Sequence, residues 1–125
     1  MKNLGHSLYF FDTYALFEII AGNEKYLKYA EQDGVTTIFN IAEFNYGLKK
    51  EKLKEEADRI TNSYKGRTIK VEWEDVINAM DLKTKHRELS IPDAIGYIVA
   101  QRKDLKFLTG DEDFKSFDNV EFVKK

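Results

Sequence analysis

Four consecutive apolar or aromatic residues, Leu8 to Phe11, run without a polar break into Asp12 and Thr13. An unbroken apolar run this short fits a strand buried on both faces, and such strands belong to parallel sheets covered by helices. Behind it, Ala15, Leu16, Ile19 and Ile20 fall on one face of a helix. Asp12 therefore stands where a strand gives way to a helix. Ligands bind along that edge in open α/β sheets. The same position also suits a helix N-cap, whose carboxylate accepts a backbone N–H. The residues alone leave both roles open.

The rest of the chain repeats the alternation. Tyr26, Leu27 and Ala30 make a second helical stripe closed by Asp33-Gly34, and residues 35–39 read as the second strand. Asn40 is expected to cap a helix carrying Ile41, Phe44 and Leu48, with Glu43 completing a capping box. The phase changes near Lys49-Lys50, and Leu53, Ala57, Ile60 and Tyr64 form a new stripe, on a second or a bent helix. Residues 68–71 suit a short third strand, and Trp73, Val76, Ile77 and Met80 a helix reaching towards His86. Ser90-Ile91-Pro92-Asp93 has the features of a helix start. Residues 106–109 and 120–123 are the fourth and fifth strands, with a helical turn opening at Asp111. This predicts one α/β domain over residues 1–125, a mostly parallel sheet with helices on both faces and right-handed crossovers. Strand order does not follow from the pattern.

Charge and composition remove several function classes. With 20 basic and 22 acidic residues the formal net charge is −2, whereas a protein that holds nucleic acid by general electrostatics is basic. Any contact with phosphates must come from local patches or a bound cation. The chain has no cysteine, which excludes disulfides and thiolate metal sites. Residues 1–7 do not read as a signal peptide, and no apolar run is long enough for a membrane span. A soluble, cytoplasmic protein is the expectation. His6 and His86 read as surface residues. Lys49, Lys50, Lys52 and Lys54 alternate with Glu51, Glu55, Glu56 and Asp58 as a salt-bridged face. The aromatics Tyr9, Phe10, Phe11, Phe17, Tyr26 and Tyr29 fit the core, with some facing a partner.

Acids recur where strands meet helices. In a parallel sheet all strand C-termini point the same way, so Asp12, Glu43 and Asp111 share one edge, and Asp93 opens the helix before the fourth strand. Each has a structural reading as a cap or a dipole partner. Together they conflict: two like charges about 4 Å apart repel by ~4 kcal/mol at an effective dielectric near 20. Either some are protonated or a cation lies among them. Oxygen ligands without His or Cys favour Mg²⁺ or Mn²⁺ over Zn²⁺.

Phe-Asp-Thr at 11–13, Ile-Ala-Glu-Phe-Asn-Tyr-Gly at 41–47, Pro-Asp-Ala-Ile at 92–95 and Thr-Gly-Asp-Glu-Asp-Phe at 109–114 resemble the four acidic motifs of PIN-domain ribonucleases. Their order and spacing are similar to the short toxins of the VapBC class. The resemblance implies a three-layer α/β/α fold around a five-stranded parallel sheet ordered 3-2-1-4-5. It also implies that Asp12, Glu43, Asp93 and Asp111 hold one or two Mg²⁺ or Mn²⁺ ions, Asp12 and Asp93 directly, with Glu43 holding or deprotonating the attacking water. Thr13 and Thr109 would hydrogen-bond the acids, and Asp113 is a fifth acid nearby. An RNA substrate, a cognate antitoxin and a homodimer are implied partners. A housekeeping RNA-processing nuclease is the alternative role. A phospho-accepting receiver domain is a further alternative, although receivers place a pair of acids after strand one and here Phe10-Phe11 precede Asp12. A phosphatase of the haloacid-dehalogenase type needs an acid where Tyr14 stands.

Overall fold

The apolar run becomes strand β1, Tyr9–Phe11, in a computed structural model that describes residues 8–125; His6 lies outside the described residues. β1 pairs in parallel with β2, Lys106–Thr109, which pairs in parallel with β3, Val120–Phe122. Phe10 is in register with Phe107 and Phe11 with Leu108. Alternation along a strand sends each pair to an opposite face. Phe10 and Phe107 stack at 5.6 Å among Ala94, Ile95 and Val99 of helix α6, Ile91–Arg102, and Ala79 of helix α5, Trp73–Lys85. Phe11 and Leu108 pack on the other face. They meet Leu16 of α1, Thr13–Ile20, Tyr29 of α2, Leu27–Ala30, Phe44 and Leu48 of α3, Ile38–Glu51, and Ile60 of α4, Lys54–Asn62. Both central strands are thus buried on both sides, as their uninterrupted apolar sequence requires.

The expected five-stranded sheet is corrected to three strands extended by two single bridges. Val35 bridges Phe10 and Thr68 bridges Thr36, both parallel. The Phe11 N–H donates to the Val35 carbonyl at 2.7 Å, and the Ile69 N–H to that of Thr36 at 2.8 Å. The segments follow the order 3-2-1-4-5, but the outer two contribute one bridge each. The cause is local. The Thr37 hydroxyl accepts the Asn40 N–H at 3.3 Å and caps α3, so the second extended segment ends before residue 37. The helix begins earlier than its apolar stripe suggests. Asn40 lies inside it rather than at its cap, and the expected Asn40–Glu43 capping box does not form.

Two other boundaries matter for the site. Ser90 and Asp93 do form a reciprocal capping box at the start of α6. Asp75, buried at the start of α5, receives two hydrogen bonds from Arg102 at the end of α6, at 2.8 and 2.7 Å. Arg102 also donates to the Lys70 carbonyl. That fork fixes α5 against α6, which carries Asp93. Leu27, Leu53 and Trp73, counted above among apolar stripes, are instead exposed.

Candidate active site

Asp12 is the N-cap residue of α1 by position, yet its side chain caps nothing. It is 1% exposed. Its Oδ2 accepts a hydrogen bond from the Thr109 hydroxyl at 2.7 Å, and its Oδ1 has no hydrogen-bond partner. The Thr109 oxygen in turn accepts the Asp111 N–H at 3.1 Å. With its oxygen engaged by that N–H, the hydroxyl proton is committed to Asp12. The capping role that the sequence left open for Asp12 is excluded, and an unpaired carboxylate oxygen is held inside the protein.

Asp93 and Asp111 each commit one oxygen to local structure. Asp93 Oδ2 accepts the Ser90 N–H at 3.0 Å, and Asp111 Oδ1 accepts the Asp113 N–H at 2.9 Å at the start of the 3₁₀ turn Glu112–Phe114. Glu43 is half-buried in the second turn of α3, beyond the capping position expected for it. The four acids lie within one another's fields. Burial raises the Asp12 carboxyl well above the ordinary carboxylate range, Asp93 and Glu43 push it the same way, and the bonds from the Thr109 hydroxyl and the Thr13 backbone oppose them. Asp93 is pushed up to about 6, first by burial and then by Glu43 and Asp111, against the lowering effect of the Ser90 N–H. Asp113 is exposed and raised by slight burial, then by Asp111 and Glu88. Glu88, which the sequence reading passed over, therefore extends the acidic rim.

Among the described residues no three acidic or imidazole side chains are close enough to enclose one ion by themselves. Mg²⁺ typically keeps several waters and uses only one or two carboxylates. A set of oxygens that includes a buried, unpartnered Asp12 Oδ1 fits such an ion. An orphaned buried carboxylate oxygen otherwise forfeits its hydration without return.

Thr13 bonds Asp12 through its backbone rather than its hydroxyl. Its hydroxyl accepts from Asn40 Nδ2 at 3.1 Å and makes no hydrogen bond to an acid among the described residues. Asn40 Oδ1 accepts from the Thr37 hydroxyl at 2.7 Å. The sequence reading missed Asn40 as more than a cap. The available signal was spacing: Asn40, Phe44 and Leu48 recur every fourth residue, which puts an amide on an otherwise apolar stripe. His86 is at the surface, its side chain 40% exposed, with its ring against Phe117 at 4.8 Å between centres. Lys83 donates to the Leu89 and Arg87 carbonyls and closes the loop before α6.

A family model described as PIN domain matches residues 9–120. Comparison with curated protein sequences gives no match. Among solved structures, the chain is similar to a toxin–antitoxin complex from Klebsiella pneumoniae, with 20% identity, TM-score 0.74, and 94% of this chain and 99% of that chain covered. It is also similar to VapBC2 from Rickettsia felis bound to a DNA fragment from their promoter, with 17% identity, TM-score 0.69, and 94% and 98% covered.

Proposed function

The chain belongs to the PIN-domain family, and on that premise we propose that it is a divalent-cation-dependent ribonuclease, the toxin of a toxin–antitoxin pair. The observation that carries the reading is the buried Asp12 Oδ1 without a partner, flanked by Asp93 and Glu43. Asp12 and Asp93 would hold Mg²⁺ or Mn²⁺ directly, and Glu43 and Asp111 directly or through water. The ion supplies Lewis acidity, which makes water a nucleophile near neutral pH and offsets charge on the phosphoryl group. The protein does the remaining work. Thr109 keeps Asp12 as an acceptor in one orientation. The capping box fixes the Asp93 carboxylate against its own backbone. Glu43, at the rim of α3, takes a proton from the attacking water. Lys85 and Arg87, exposed beside Glu88, meet the phosphates flanking the scissile bond.

The toxin role draws on the two structural relatives, a toxin–antitoxin complex and VapBC2. The exposed apolar side chains Tyr46, Leu53 and Trp73, at 66%, 78% and 81% exposure, offer contact area to an antitoxin or a second copy of the chain. Of the aromatics expected mostly in the core, Phe10, Phe11, Tyr26 and Tyr29 are there. No helix of the described residues is long and apolar enough to cross a membrane.

Calorimetry with Mn²⁺ and cleavage of RNA with and without the ion test the chemistry; absence of both binding and cleavage overturns it. Expression of the chain should arrest growth, and Asp12→Asn or Asp93→Asn should abolish the arrest. Cleavage in vitro without arrest would select the housekeeping role.

A further inference from the structure

Among the described residues seven polar or charged side chains are buried, and five of them (Asp12, Thr13, Thr37, Asn40 and Thr109) cluster at one end of the central strands. Asn40 is at the middle of this group and is 0% exposed. Its Nδ2 donates to Thr13, the residue after Asp12, at 3.1 Å. Its Oδ1 and its N–H both engage Thr37, at 2.7 and 3.3 Å. Glu43 follows three residues later on the same helix. On the third side, a Cβ built on Gly96 would lie 3.1 Å from Asn40 Oδ1 and 3.0 Å from the Phe10 ring. Gly96 is one helical turn beyond Asp93, so the backbone of α6 rests on Asn40. Three helices carrying or following Asp12, Glu43 and Asp93 thus meet at a single amide.

From this juxtaposition we infer that Asn40 is a positioning residue, which sets the mutual placement of Asp12, Glu43 and Asp93 for cation binding. The inference rests on the nuclease reading above. A purely structural account leaves the choice of an amide unexplained, since Phe44 and Leu48 fill the same stripe with apolar groups. A carbonyl oxygen and an amide N–H pointing in different directions tie two chain segments in fixed orientation, which an apolar side chain cannot do. Partners behind the ligands of a metal are known to change affinity or activity 10- to 100-fold when removed.

The test compares the full-length wild-type chain with Asn40→Leu, Thr13→Val and Thr13→Ser. Mn²⁺ affinity is read by calorimetry, stability by melting in EDTA, and RNA cleavage as separate kcat and KM. Asn40→Leu and Thr13→Val should weaken Mn²⁺ binding at least tenfold and lower kcat with KM within twofold, and Thr13→Ser should restore both. The double variant should bind Mn²⁺ about as well as Asn40→Leu alone, because both changes remove one shared bond. If Asn40→Leu fails to fold, the Thr13→Val and Thr13→Ser pair decides. Folded variants that melt earlier but bind Mn²⁺ within twofold of wild type overturn the inference and leave the nuclease reading standing. A wild-type chain that neither binds Mn²⁺ nor cleaves RNA overturns both.

Discussion

At Asp12 one oxygen is satisfied and the other is not, and that asymmetry dictates what substitution does. Asparagine keeps an acceptor for the Thr109 hydroxyl while removing a charge that burial and Asp93 both disfavour. Asp12→Asn should therefore raise the melting temperature in EDTA, by roughly 1–2 kcal/mol of stability, while cleavage falls by two orders of magnitude or more. A lower melting temperature would return Asp12 to a structural role. The same electrostatics set a pH dependence. Asp93 rises from the ordinary 3.8 to about 6 on folding, so between those values the folded chain holds more protons than the unfolded one. Stability is then greatest below about pH 4 as far as this group is concerned, and declines until pH passes 6. Melting in EDTA from pH 4 to 7 should show this decline, and Asp93→Asn should flatten it. Mn²⁺ affinity should rise over the same interval, since the cation displaces those protons. Thr109→Val removes the side-chain bond that stabilises the Asp12 charge. It should cost about 1–2 kcal/mol and weaken Mn²⁺ binding most at the acidic end of that range.

At the level of elements, the fork between Arg102 and Asp75 joins the two helices on the face opposite α1 and α3. Arg102→Ala leaves Asp75, 2% exposed, without a charge partner that is itself 35% exposed, and should destabilise by about 1–3 kcal/mol in thermal or urea unfolding. Much of this layer was legible in the sequence because it is written in local chemistry. The capping box at Ser90 and Asp93 is readable from four residues, and β2 falls on residues 106–109 as the apolar pattern indicates. What the pattern could not show was competition between neighbouring elements. Residues 35–39 carry strand-forming side chains, but a threonine able to cap a helix lies among them, and the helix won residues 38 and 39. Asp12 and Asp111 were readable as acids beside strand ends and Asp93 as an acid at a helix start, whereas Glu43 lies deeper in its helix than its expected place. Asn40 was not readable, because its significance lies in Thr13 and Gly96, which are remote in sequence. Gly110 has the same character. A Cβ there would collide with the Val123 carbonyl oxygen and the Tyr14 ring.

For the molecule as a whole, a net charge of −2 and the mutually repelling acids around Asp93 oppose a polyanion. RNA affinity should depend more on the divalent ion than on bulk charge. The salt dependence should be shallow, with a log–log slope smaller in magnitude than about 3; a steep slope in filter-binding or anisotropy titrations would point to an extended basic track instead. The pairing of the central strands also has a temporal meaning. Tyr9 is in register with Lys106, and the Asp12 side chain is held by a residue 97 positions further along. During synthesis Asp12 emerges early and has no Thr109 hydroxyl to meet until 97 further residues have been added. The buried carboxylate of Asp12 therefore takes its final setting late, after the segments that surround it have been made.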